Sequence, residues 1–123
     1  MADTVQELSG VKVLVCDPAG PAITTVQDAL DLIGATYDGA ELVAVPADRL
    51  DDTFFVLSTG FAGEVMQKFV NYHVRLVVLG DISRHLEASS ALRSLVVESN
   101  RGSHIWFLAD TDALAARLEP AAP

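Results

Sequence analysis

Cysteine is almost absent: Cys16 stands alone among 123 residues. No disulfide can close within the chain. A single thiol inside the apolar run VKVLVC reads as a buried core residue rather than a reactive one. Basic residues are scarce as well. Eight Lys and Arg face seventeen Asp and Glu, a net charge of −9. Nucleic acid and anionic membrane surfaces both demand a basic footprint, so neither is expected as a partner. No apolar stretch reaches the roughly 18 residues of a membrane helix. The opening MADTVQELSG has no basic cluster and no apolar signal core. Together with the lone cysteine this points to a reducing cytoplasm. Also missing are a P-loop, a G-x-G-x-x-G turn and a G-x-S-x-G elbow. His73, His85 and His104 lack the close spacing of metal ligands. No cofactor and no metal is expected.

What is present suits one domain over residues 1–119, with PAAP (120–123) as a frayed tail. Ser9-Gly10 joins two short strands, 3–8 and 11–16, in a hairpin. Thr24-x-x-Gln27 and Thr25-x-x-Asp28 offer caps to a helix over 25–37, ended by Gly39. LVAVP (42–46) and RLVVLGD (75–81) read as buried strands. Helices follow over 60–73 and about 88–99, then strand 104–110 and a closing helix in DALAARL. The segment 47–57 gives no clear signal beyond a turn at Asp48, Asp51 and Asp52. This alternation predicts an α/β fold: a mixed, mostly parallel sheet of about five strands with about four flanking helices.

Sites in such sheets gather at the carboxyl ends of strands. Those ends supply Asp17, the 46–60 segment, Asp110 and the loop GDISRH. The helix entrances add Thr59, Gly60, Ser89 and Ser90. Ser58-Thr59-Gly60 opens the helix 60–73, with Thr59 as the expected N-cap. No Glu or Gln stands at position 62 to complete a capping box, so capping alone does not explain the stretch. A plain cap, a phosphate acceptor at the helix N-terminus and a ligand contact all remain open. Glu64, Gln67, Lys68 and Asn71 share one face of that helix, with Glu64 and Lys68 spaced as a favourable pair. That face suits solvent, a partner or a dimer. Asp81, Arg84 and His85 bring together an acid, an anion anchor and a proton carrier. Arg84 is therefore a binding candidate. Asp81 and His85 are the catalytic candidates, although no other element completes a recognised constellation.

The bases are unevenly placed. Residues 1–60 hold ten acids and two bases, whereas residues 61–123 hold seven acids and six bases. The second half can thus carry an anion-friendly patch on an acidic molecule.

DALDLIG (28–34), STGFAGEVMQKFVNY (58–72), LVVLGDIS (76–83), SALRSLVVESNRG (90–102) and IWFLADTDALAARL (105–118) together resemble a bacterial domain-of-unknown-function family, DUF4180. The resemblance departs at His73 and Ser103, where the family favours arginine. The order of elements is also similar to that of the STAS domain, the fold of bacterial anti-sigma-factor antagonists. That similarity implies a phosphorylatable hydroxyl just before the second helix, in an Asp-Ser-Ser-Gly-like motif. Leu57-Ser58-Thr59-Gly60 lies there, with Thr59 in the acceptor position, Gly60 as the glycine and Leu57 in place of the acid.

The leading expectation is a small STAS-like regulatory module that acts through protein contacts. The alternative is a binder of a small anionic metabolite, or an enzyme acting on one, at the rim formed by 58–64 and 81–85. A third is a homodimer built on exposed Phe54, Phe55 and Phe61.

Overall fold

The computed structural model describes residues 3–119, the side chain of Asp38 excepted. Five strands form one sheet in the order β1-β2-β3-β4-β5. These are β1 (Thr4–Leu8), β2 (Val11–Val15), β3 (Leu42–Pro46), β4 (Arg75–Leu79) and β5 (Ile105–Leu108). β1 runs antiparallel to β2, and the other neighbours are parallel. The hairpin turns at Ser9 and Gly10, with φ of 49° and 83°. Two consecutive positive φ values suit the right-handed twist of paired strands.

Among the described residues six α-helices accompany the sheet: α1 (Val26–Gly34), α2 (Asp52–Phe55), α3 (Phe61–Asn71), α4 (Ser83–Ala88), α5 (Ser90–Arg101) and α6 (Thr111–Leu118). The two beyond the expected four are short. α2 lies in the stretch 47–57 that the sequence left open, between 3-10 turns at Ala47–Arg49 and Leu57–Thr59. α4 takes up the loop after β4. Periodicity is unreadable over so few residues, which explains why neither stood out.

The strand order never reverses along β2 to β5. Right-handed crossovers in such an order place every connecting helix on the same face. The core is divided accordingly. Leu14, Cys16, Val43, Val45, Leu76, Val78 and Phe107 point to the face packed by α1, α2, α3 and α5. Val13, Leu42, Ala44, Val77 and Trp106 point to the other face, which Leu114 and Leu118 of α6 cover. LVVL (76–79) is continuously apolar because β4 is buried on both sides. α6 is tied to the hairpin by the Ser9 hydroxyl, which donates to Ala115 O at 2.7 Å.

Local chemistry fixes the helix ends. Asp28 N donates to Thr25 Oγ1, and Thr25 N donates back to Asp28 Oδ2, both at 3.1 Å. That reciprocal pair is the capping box foreseen at Thr25, with Asp in the third position. At the end of α5, Asn100 clamps β5. It accepts from Phe107 N at 2.7 Å and donates to Phe107 O at 3.2 Å. Cys16 is 2% exposed, and burial pushes its thiol up to about 12, with the Asp3 carboxylate adding to the rise. It is a core side chain and unreactive as a thiolate.

The apolar surface expected to carry a homodimer is not exposed. Phe54 and Phe55 are 0% and 3% exposed, and Phe61 is half-buried against them. The short α2 turns both rings inward, where Phe54 meets Phe55 and Phe61 edge-on. No helix among the described residues is long and apolar enough to cross a membrane. The expected tail at 120–123 lies outside the described residues.

Candidate functional site

The segments 52–60 and 81–91 meet beside the carboxyl ends of β3 and β4. Asp51 starts α2 by accepting from Thr53 N at 3.1 Å and from the Thr53 hydroxyl at 2.6 Å. Those bonds hold its carboxyl below the usual carboxylate range. Arg84 Nη2 reaches Asp52 Oδ1 at 3.0 Å and so links α4 to α2. Both partners are largely exposed, so the pair contributes little stability, about 0–1 kcal/mol. It does leave Arg84 in solvent and available to a ligand or partner.

His85 is the better-buried neighbour. Its ring lies on Phe55, with centroids 4.0 Å apart and 13° between the planes. Nε2 is 3.9 Å from Asp52 Oδ1. Burial depresses its pKa, and Arg84 depresses it further, while Asp52 opposes them. His85 therefore favours the neutral imidazole. It lines a cavity of about 340 Å³ together with Phe55, Leu57, Ser58, Ala88 and Ser89. Ser89 caps α5 there by accepting from Leu92 N at 3.1 Å.

Of the residues singled out in the sequence, Ser58, His85 and Ser89 come together in this cavity. Thr59 is engaged elsewhere. Its hydroxyl is 2.8 Å from both Thr53 O and Val56 O, to which it donates. It is not the N-cap of α3. Gly60 holds that position with φ of 81°, a left-handed value that suits glycine, and Thr59 Oγ1, one residue earlier, still accepts from Phe61 N at 3.3 Å. The reason lies in the 3-10 turn 57–59, which ends at Gly60 and takes Thr59 into its own hydrogen bonding.

Asp81 folds back on its own turn. Its Oδ1 accepts from Ser83 N at 2.9 Å and from the Ser83 hydroxyl, and these bonds lower its pKa. Glu64, Gln67 and Asn71 stand on the exposed face of α3, and Lys68 is half-buried. Gln67 Nε2 donates to Asn71 Oδ1 at 2.9 Å. Among the described residues Glu64 and Lys68 form no ion pair, contrary to their spacing. No group of three or more His, Cys, Asp or Glu among the described residues could hold a metal ion.

Three contributors escaped the sequence reading. Asp52 and Phe55 looked like turn and approach residues, yet they hold Arg84 and His85. Tyr37 lies in the 3-10 turn Ala35–Asp38 that continues α1, and is 94% exposed. An isolated tyrosine beside a helix end carries no sequence signal of its exposure.

The fold and this rim define a small α/β domain with a mixed five-stranded sheet and a mostly apolar cavity between two helix entrances. The chain belongs to the DUF4180 family, a domain of unknown function, whose match spans residues 8–118. No curated protein and no solved structure matches it.

Proposed function

We propose that this domain is a small regulatory module that works by protein contact, with the exposed side of α3 as its contact face. The observation that carries this reading is the far end of that face. Tyr72, just past α3, is 60% exposed, and Val70 is 43% exposed. Tyr72 and Tyr37 border a shallow groove floored by Leu30, Ile33 and Val74. Tyrosines held in solvent beside an apolar groove are typical anchors of interfaces. Gln67 and Asn71, joined to each other, supply a polar rim. With a net charge of −9, the fitting partner is a protein whose contact surface is apolar with a basic rim. The resemblance of the element order to the STAS domain, an expectation from the sequence, fits a cytoplasmic regulator, as does the free buried Cys16.

Affinity capture from the host organism tests this reading. A partner held by the wild type and lost by Tyr72→Asp, but kept by a substitution on exposed β1 such as Gln6→Glu, is the expected result. Equal recovery with Tyr72→Asp removes the proposal.

A second reading rests on the other rim. Ser58, His85 and Ser89 surround the cavity at the start of α5, with Arg84 nearby in sequence and exposed. A small anionic metabolite suits a helix N-terminus, and Arg84 on the preceding helix supplies an exposed cation. Thermal shift with inorganic phosphate and small carboxylic acids, repeated on Arg84→Ala, decides it. Absence of any stabilisation of the wild type sets this reading aside.

A further inference from the structure

Arg49 is a charged side chain that is only 4% exposed. It lies in the 3-10 turn after β3. Nε donates to Pro21 O at 2.9 Å, and Nη1 donates to the Asp3 carboxylate at 2.9 Å and to Asp17 O at 3.3 Å. The backbone of Gly20 lies against the guanidinium so closely that a Cβ there would stand 2.7 Å from Cζ. A buried guanidinium is costly unless its donors find acceptors. Nη2 has no partner among the described residues. Yet no fully buried side-chain nitrogen or oxygen among them is left without one. Nη2 is therefore not fully enclosed, and Arg49 borders a cavity of about 380 Å³.

α1 and the residue that follows it supply further lining. Asp28, Asp31 and Leu32 come from the helix, and Ala35 follows it. The capping box occupies Asp28 Oδ2 and leaves Oδ1 without a bond among the described residues. Asp31 Oδ1 accepts from Gln27 Nε2 at 2.9 Å, and its second oxygen is similarly free. Asp3 is already paired with Arg49. The cavity is thus bordered by the Arg49 guanidinium and by two carboxylates, each with one oxygen bonded and one without a bond among the described residues.

We propose that this cavity binds a small zwitterion of the amino-acid type, with its carboxylate on Arg49 Nη2 and its ammonium on Asp28 and Asp31. A simple anion would face two negative charges with only one open donor in return. A simple cation would leave Nη2 bare and stand against the guanidinium. A zwitterion offers a partner of opposite sign to the guanidinium and to the carboxylates alike. Ile23, Leu32 and Ala35 give an apolar shelf for a short aliphatic side chain. The volume lies at the small end of ligand pockets, which run from about 300 to 1,000 Å³. The site uses neither Tyr37 and Tyr72 nor the Ser58 cavity, so its fate is separate from the readings above.

The test is thermal shift and titration calorimetry on the full chain. The probes are glycine, alanine, valine, leucine, β-alanine and γ-aminobutyrate, with acetate, inorganic phosphate and putrescine as single-sign controls. At least one zwitterion should raise the Tm saturably while the controls do not. Ala35 is exposed and Ala35→Trp fills the cavity, so it should abolish the shift in a chain still folded by circular dichroism. Asp31 bonds only to Gln27 among the described residues, so Asp31→Asn should keep the fold and weaken binding about tenfold or more. The proposal is overturned if no amino acid stabilises the wild type, if acetate or putrescine does so equally, or if binding survives Asp31→Asn at full strength. Survival in a folded Ala35→Trp would have the same meaning.

Discussion

His85 lies flat on Phe55 with their ring centroids 4.0 Å apart, and this stack joins α4 to α2. The contact places a titratable ring against a buried side chain of the core. Burial and Arg84 both lower its pKa, against the weaker pull of Asp52. The unfolded chain therefore binds a proton at His85 at a higher pH than the folded one. Stability is complete above the unfolded value, about 6.5, and falls as pH drops through it towards the folded value. The loss should level off below the folded value. Urea denaturation at successive pH values should show a decline in this window, above the range in which Asp28, Asp51 and Asp81 titrate. His85→Phe keeps the stack and should flatten the decline. A decline unchanged in that variant would place its origin in another group.

The capping box of α1 should be worth its usual amount. Thr25→Ala removes the oxygen that accepts from Asp28 N and should cost about 1 kcal/mol. Thr24→Ala loses only a 3.3 Å contact to Asp28 and should cost clearly less. A chemical denaturation midpoint for each variant checks the difference.

The contrast between these two predictions reflects what the sequence could and could not reveal. The strands, the long helices and the Ser9-Gly10 hairpin were legible because hydrophobic period and turn chemistry are local. Thr25 with Asp28 declared its cap in the same way. The rim was legible only in part. Ser58 and His85 do share a cavity, but that rests on α2, whose four residues cannot show a period. Thr59 looked like a cap because the 3-10 turn before it is invisible to pattern, and that turn moves the cap to Gly60. Phe54 and Phe55 looked exposable for the same reason. Arg49 was read only as a charge, since its burial depends on Asp3, Asp17 and Pro21, which are distant from it in sequence.

Trp106 reports on α6. Arg75 and Arg117 both place their guanidinium carbons near its ring, 4.6 and 4.3 Å from the centroid. Its Nε1 donates to Gly102 O at 2.8 Å. Arg117 also bonds to Asn100 O, so it anchors α6 as well as covering the indole. Arg117→Ala should lose about 0.5–2 kcal/mol from the cation–π contact. The single tryptophan makes the outcome easy to read. Its emission should shift to the red as the ring gains access to water. An unshifted emission would mean that α6 holds its place without Arg117.

The hydroxyls of Ser58 and Thr59 separate by stability before any partner is known. Thr59 donates to Thr53 O and Val56 O across the turn that enters α3, so Thr59→Ala should cost about 1 kcal/mol. Ser58 is exposed, and its hydroxyl has no hydrogen bond among the described residues, so Ser58→Ala should be nearly neutral. The same asymmetry bears on modification. A phosphoryl group on Thr59 would break both contacts and unsettle the turn, whereas one on Ser58 would enter the cavity beside His85 and the start of α5. The negative charge there would favour protonated His85. Ser58→Asp should therefore raise the His85 pKa, read from its imidazole proton shifts by NMR, with little change in stability at neutral pH. Thr59→Asp should destabilise the chain and leave that pKa closer to the wild type. If Ser58→Asp leaves the His85 titration where it was, the two groups do not communicate, and Ser58 loses its claim as the switch position.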